Sequence, residues 1–91
     1  MLTLHALNGD SYEISSGDTI GRSSKCDHHF PLDNVSRNHC QFICNNLNEW
    51  WVIDLNSKNG TLVDDIPVIH QRIFNGDKLQ IASLTFQVAI D

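Results

Sequence analysis

Four of the six basic residues, Arg22, Lys25, Arg37 and Lys58, fall in three short polar stretches. The first reads Gly21-Arg22-Ser23-Ser24-Lys25, the second Val35-Ser36-Arg37-Asn38-His39, and the third Asn56-Ser57-Lys58-Asn59-Gly60-Thr61. Each joins a cation to hydroxyls or amides, which is the donor set a phosphate monoester requires. Such a group carries roughly −1.5 to −2 at neutral pH and offers three acceptor oxygens. Arginine supplies a planar fork and lysine a mobile point charge. Arg22 and Arg37 are therefore the candidate clamps, Ser36 a hydroxyl donor, Asn59 an amide and Lys58 a point charge, provided that the three stretches converge.

The bulk composition restricts the ligand further. Net charge is −5, so general attraction to nucleic acid or to an anionic membrane surface is disfavoured. An acidic chain that gathers its cations suits a small, highly charged anion better than an extended polyanion. Ninety-one residues at 41% hydrophobic make one domain, 1–91, and the longest obvious apolar run, Trp50-Trp51-Val52-Ile53, is far short of the roughly 18 residues a membrane span needs. Met1-Leu2-Thr3-Leu4-His5 lacks the basic flank and apolar core of a secretory signal. Three cysteines, Cys26, Cys40 and Cys44, are an odd set and read as free thiols. The sequons Asn34-Val35-Ser36 and Asn59-Gly60-Thr61 would put sugars on the candidate ligand loops. The expectation is an intracellular protein, cytoplasmic or nuclear. Its oligomeric state has no signature in the sequence.

The frame that must hold these loops reads as short strands. Thr3–Leu7 and Ser11–Ser15 flank Asn8-Gly9, a strong hairpin signal. After the turn Ser16-Gly17-Asp18, Thr19-Ile20 runs as a brief strand into Gly21-Arg22. Ser23 to Asn38 shows no helical period and contains Pro31, so it reads as loop with one short strand around His28 to Phe30. Cys40, Phe42 and Cys44 then alternate with Gln41, the mark of a half-buried strand, and the aromatic, β-branched run Trp50–Leu55 pairs with it as a second hairpin. Thr61–Val63 and Ile66–Val68 are brief extended pieces separated by Asp64-Asp65, with Pro67 suited to an edge. Lys78–Ile81 and Leu84–Ile90 complete the chain around the turn Ala82-Ser83. No strand is assigned between Ile69 and Phe74. Many short strands with regular turn signals imply an all-β sandwich or barrel.

Taken in order, Gly21-Arg22, Cys26-Asp27, Val35-Ser36-Arg37-Asn38-His39-Cys40, Asp54-Leu55-Asn56-Ser57-Lys58-Asn59-Gly60-Thr61 and Asn75-Gly76-Asp77 resemble a forkhead-associated (FHA) domain over essentially the whole chain. Gly-Arg, Ser-Arg-x-His and Asn-Gly-Thr are that family's motif positions. The resemblance implies an eleven-strand β-sandwich of the FHA/SMAD type with binding loops at one end. It further implies a phosphothreonine-containing protein or peptide as partner, no cofactor and no catalytic activity. By motif position, Arg22 and Ser36 resemble phosphate ligands, Asn59 the residue that holds the peptide backbone, and Arg37 a contact to phosphate or peptide. Gly21, His39, Gly60 and Thr61 resemble loop-shaping residues. Two positions depart from the pattern: Lys58 stands where many relatives carry threonine or serine, and Asp64-Asp65 stands where Asn-Gly is common.

Other chemistries fit less well. Cys26, His28, His29, His39, Cys40 and Cys44 could be metal ligands, but no Cys-x-x-Cys pair exists and Cys40 and Cys44 lie on a core face. A hydrolase triad of Ser36 and His39 with Asp33 or Asp54 lacks a nucleophile elbow and an evident oxyanion hole. Arg22 could instead pair with Asp18 or Asp27 at a strand end. The main competitor is a phosphate-independent protein-interaction domain of the same fold, since fold does not fix function.

Overall fold

The computed structural model describes Met1–Asp91 and contains eleven strands and no helix. One sheet has six strands: β1 (Leu2–Ala6), β2 (Ser11–Ile14), β7 (Thr61–Val63), β8 (Ile66–Val68), β10 (Lys78–Ile81) and β11 (Leu84–Ile90), in the order β2-β1-β11-β10-β7-β8. The other has five: β3 (Thr19–Gly21), β4 (His28–His29), β5 (Cys40–Cys44), β6 (Trp50–Asp54) and β9 (His70–Ile73), in the order β4-β3-β5-β6-β9. The all-β sandwich expected from the strand pattern, with the strand number implied by the family resemblance, is the architecture found.

Alternation in the sequence becomes the inner face of each sheet. Cys40 and Phe42 are buried on β5, Trp50 and Val52 on β6, and Phe86 and Val88 on β11, while Gln41 and Gln87 point outward. Fourteen buried apolar residues form one core between the sheets. Each large side chain fully removed from water adds about 1.5–3 kcal/mol, which makes this interdigitated layer the main stabilising term for so short a chain. Cys26, Cys40 and Cys44 are all free. Burial pushes the Cys40 thiol far up, so it packs as a neutral, small apolar group.

Local differences from the sequence reading have local causes. The first hairpin closes through residues 7–10 rather than through Asn8-Gly9 alone, because Ala6 N–H bonds Asp10 O at 2.8 Å and Leu7 swings into solvent. Asp64-Asp65 still makes a tight β7–β8 turn, with φ of 49° and 69°. Aspartate tolerates this left-handed region, and Asp64 Oδ1 accepts Lys78 N–H at 3.0 Å. Pro67 does lie on an edge strand, β8. The strand missing from the sequence reading is β9, which pairs Trp50↔Ile73 through Ile53↔His70. Only Ile73 of its four residues is buried, so it carries almost no periodic signal.

Candidate functional site

Strand register decides where the polar loops go. Ile20 opposes Cys40 and Cys40 opposes Asp54, so β3 ends, β5 begins and β6 ends at one level. The three polar stretches therefore leave the same end of the sandwich. Thr61 opposes Ile81, which brings the β10–β11 turn to that end as well.

Backbone rungs lock the first two loops together. Arg22 N–H bonds Ser36 O at 2.9 Å and Ser23 N–H bonds Arg37 O at 3.1 Å. Gly21 allows this approach: a Cβ there would stand 2.0 Å from Arg37 O and 2.8 Å from Cys26 Sγ. The Cys26 thiol donates to the same Arg37 carbonyl at 3.2 Å. Arg22 Nε–H donates to Val35 O at 3.1 Å, which fixes the guanidinium plane and leaves both amino groups free.

His39 ties the second loop to the third. It is fully buried, its Nδ1 accepts Ser36 N–H at 3.1 Å, and its Nε2 bonds Gly60 O at 2.8 Å. An N–H donor faces one nitrogen and a carbonyl faces the other, so the ring is neutral with its proton on Nε2. Ser36 Oγ accepts Lys58 N–H at 2.9 Å, and its own proton has no partner. Asn59 donates through Nδ2 to Asn34 O at 2.7 Å, and Asn34 in turn donates to Ser83 Oγ at 2.7 Å. Gly60, at φ 84°, supplies the reversal that aims its carbonyl at His39.

Asp54 organises the third loop from below. Its carboxylate accepts Ser57 N–H, the Ser57 hydroxyl and, at 2.8 Å, the hydroxyl of buried Thr61. Burial pushes this carboxyl upward, but the three hydrogen bonds outweigh burial and hold it below its ordinary range.

The charge distribution is uneven. Arg72 pairs with Glu49 at 2.9 Å and Lys78 with Asp65 at 2.7 Å, both away from this end. Arg22, Lys25, Arg37 and Lys58 are exposed and none has a carboxylate within 4.0 Å. Asp18 pairs with His28 instead, and Asp27 accepts Thr19 N–H at 2.9 Å, so neither reaches Arg22. The cations of this acidic chain that lack a partner are those at the loop end.

A profile of the FHA domain family matches residues 18–82, which span all three polar stretches. The chain belongs to the FHA domain family. Solved structures agree over its length. A structure described as part of an analysis of phosphothreonine-dependent FHA domain interactions is 28% identical with a TM-score of 0.90, covering 99% of this chain and 96% of that one. The FhaA FHA domain in complex with the intracellular domain of Rv3910 is 28% identical, with a TM-score of 0.87 and coverage of 97% and 99%. Mycobacterium tuberculosis EmbR in complex with a low-affinity phosphopeptide is 26% identical with a TM-score of 0.92; the match covers 99% of this chain but 24% of EmbR. A search of curated protein sequences finds no match.

In this FHA domain Arg22, Ser36, Arg37, Lys58 and Asn59 all occupy loops of one end, and Gly21, His39, Gly60 and Thr61 form the scaffold beneath them. The geometry is wrong for a Ser-His-Asp relay, because both His39 nitrogens are taken by backbone groups and Ser36 Oγ is held by Lys58 N–H. Sequence reasoning left out Asn34, which bridges Asn59 to Ser83, and the structural part played by Cys26. It also left out the loop-organising role of Asp54, although an aspartate three residues before a serine in a loop is a recognisable turn signal.

Proposed function

We propose that this FHA domain is a non-catalytic, intracellular reader that docks phosphothreonine segments of proteins modified by a Ser/Thr kinase. The observation that carries the reading is the set of donors gathered at the loop end. There Arg22 keeps both amino groups free, Ser36 keeps an unpartnered hydroxyl proton, and Lys58, whose backbone N–H bonds Ser36 Oγ, has no carboxylate partner. Arg22 and Ser36 are the phosphate ligands, and Lys58 adds point charge where many relatives have a hydroxyl. Arg37, the neighbour of Ser36, is a contact to phosphate or peptide. Asn59 is held by Asn34 through one N–H, which leaves its carbonyl oxygen and second N–H to meet an extended peptide backbone. The relatives described with phosphopeptide or phosphothreonine support this reading through shared fold. His39, Gly21, Gly60 and Thr61 act as positioning residues.

A degenerate threonine peptide library, titrated with and without phosphate on the threonine, tests the proposal. Binding confined to the phosphorylated library is expected. Equal binding of both would assign the domain to phosphate-independent protein recognition.

A further inference from the structure

We propose that the groove between edge strands β8 and β9 docks an extended, unphosphorylated segment of a partner protein, in which apolar residues alternate with lysine or arginine and which adds to β9 as a further strand. This surface lies along the side of the sandwich, and its chemistry is opposite to that of the loop end.

Register leaves β9 open. Ile53 opposes His70 and Asp54 N–H bonds Ile69 O at 2.8 Å, so Ile69, Gln71 and Ile73 turn their backbone groups toward β6. Those of His70 and Arg72 then face away, where β9 has no neighbouring strand. Arg72 O is covered only by the side chain of Gln71, whose Nε2 donates to it at 3.2 Å. The facing edge is closed. The two-residue turn Asp64-Asp65 makes Val63 and Ile66 a hydrogen-bonded pair, so the outward backbone on β8 is that of Pro67, which has no N–H. An unblocked edge is a template for one more strand, and β9 is the one of this pair that offers it.

Beside that edge runs a groove of about 250 Å³ with Val63, Ile66, Val68 and Phe74 in its lining. Ile66, Ile69 and Phe74 are three of the seven large apolar side chains that the chain leaves exposed, and all three belong to this side. The wall is pre-formed: Glu49 holds Arg72 at 2.9 Å, and the guanidinium carbon of Arg72 stands 4.6 Å from the centre of the Phe74 ring. Arg72 Nε–H is also the one buried side-chain polar group without a hydrogen-bond partner, an unmet donor that a carbonyl of an incoming segment satisfies.

Charge sets the sign of the partner. Asp64 and Asp77 line the groove, and each accepts only a backbone N–H, from Lys78 at 3.0 Å and from Phe74 at 2.7 Å. The nearby cations are taken, Arg72 by Glu49 and Lys78 by Asp65 at 2.7 Å. Two carboxylates without a cation therefore stand beside an apolar trough. Successive side chains of a strand point to opposite faces, so a segment alternating apolar with basic residues fits both, whereas an acidic phosphorylated segment is repelled.

Two pools of unphosphorylated nine-residue peptides, titrated by fluorescence anisotropy, test the proposal. In one, valine, isoleucine, leucine or phenylalanine alternates with lysine or arginine; in the other, with aspartate or glutamate. The basic pool is expected to bind at least about tenfold tighter. Asp64→Asn combined with Asp77→Asn keeps both oxygen acceptors and should bring the pools within about threefold of each other. Glu13→Gln, which removes an exposed carboxylate from β2, should leave the preference unchanged. Amide hydrogen exchange of the wild type, read by NMR, should show His70 and Arg72 slowed by the basic pool and residues 21–25, 34–39 and 57–61 unchanged, which decides the matter even if the double variant fails to fold. The proposal is overturned if neither pool binds, if both bind equally, or if Glu13→Gln lowers the preference as much as the double variant does. It is equally overturned if protection falls elsewhere, or if His70 and Arg72 become protected without peptide as protein concentration rises, which would assign the groove to a second copy of this chain.

Discussion

Replacing Arg22 by alanine separates ligand recognition from folding more sharply than any other single change in the loops. The side chain is exposed, and its one intramolecular bond runs from Nε–H to Val35 O at 3.1 Å. Loss of that bond should cost about 0.5–1.5 kcal/mol of stability, or a fall in Tm of roughly 4–8 °C per kcal/mol in a domain of this size. The binding term is larger. Both amino groups are free to donate to phosphate oxygens, and charge-assisted hydrogen bonds contribute about 1.5–3 kcal/mol each. Neighbouring Lys58 and Arg37 recover part of the lost charge, so a net loss of about 2–4 kcal/mol is expected, which weakens Kd roughly 30-fold to 1,000-fold. Arg22→Lys keeps the charge but removes the fork and should fall between the two. Isothermal titration with a phosphothreonine peptide, beside a urea melt, reads both terms. A folded Arg22→Ala variant that binds within threefold of wild type would refute the assignment, and a variant that fails to fold would make Arg22 a structural residue.

Three further outcomes follow from the same geometry. His39→Ala leaves Ser36 N–H and Gly60 O without partners and opens a cavity, so urea melts should show a loss of about 3–5 kcal/mol; a loss under 1 kcal/mol would remove His39 as the link between loops. Gly21→Ala must force the first two loops apart, since its Cβ would meet a backbone oxygen at 2.0 Å; it should lower the melting temperature and weaken phosphopeptide binding together, and normal binding would show that the loops tolerate the separation. The carboxyl of Asp54 is held below its ordinary value, so its stabilising contribution is complete above the unfolded pKa of about 3.9 and is lost as pH falls through the lower folded value. The gap in urea midpoint between wild type and Asp54→Asn should therefore narrow below about pH 4, and a gap constant from pH 6 to pH 2.5 would contradict the hydrogen-bonded carboxylate.

The parts of this structure that were legible in the sequence are those with a local period or a local turn. Cys40-Gln41-Phe42 alternates because β5 has one face in the core, and the same holds for Phe86 and Val88 on β11. The clustering of cations in three polar stretches was visible too, and the family pattern supplied the likeness that placed them together. Their convergence is a consequence of register, of Cys40 facing both Ile20 and Asp54, and no short window of sequence encodes that. A short strand around His28 was legible and is found as β4, but its parallel pairing with β3 was not, because a two-residue strand carries no alternation that would name its partner. The Asn59–Asn34–Ser83 chain joins residues up to 49 positions apart through side chains that would look like ordinary turn formers. Edge strand β9 was missed because an edge needs few buried residues.

The reading proposed above requires that Arg22, Ser36, Lys58 and Asn59, which lie in loops at a single end of the sandwich, meet one phosphothreonine segment together. The most direct measurement is a backbone amide NMR titration with a phosphothreonine peptide and, separately, its unphosphorylated counterpart. The phosphopeptide should shift residues 21–25, 34–39 and 57–61 while leaving β8 and β9 at their free positions, and the unphosphorylated peptide should shift none of these at the same concentration. Equal shifts from both peptides, or shifts confined to β8 and β9, would contradict the account.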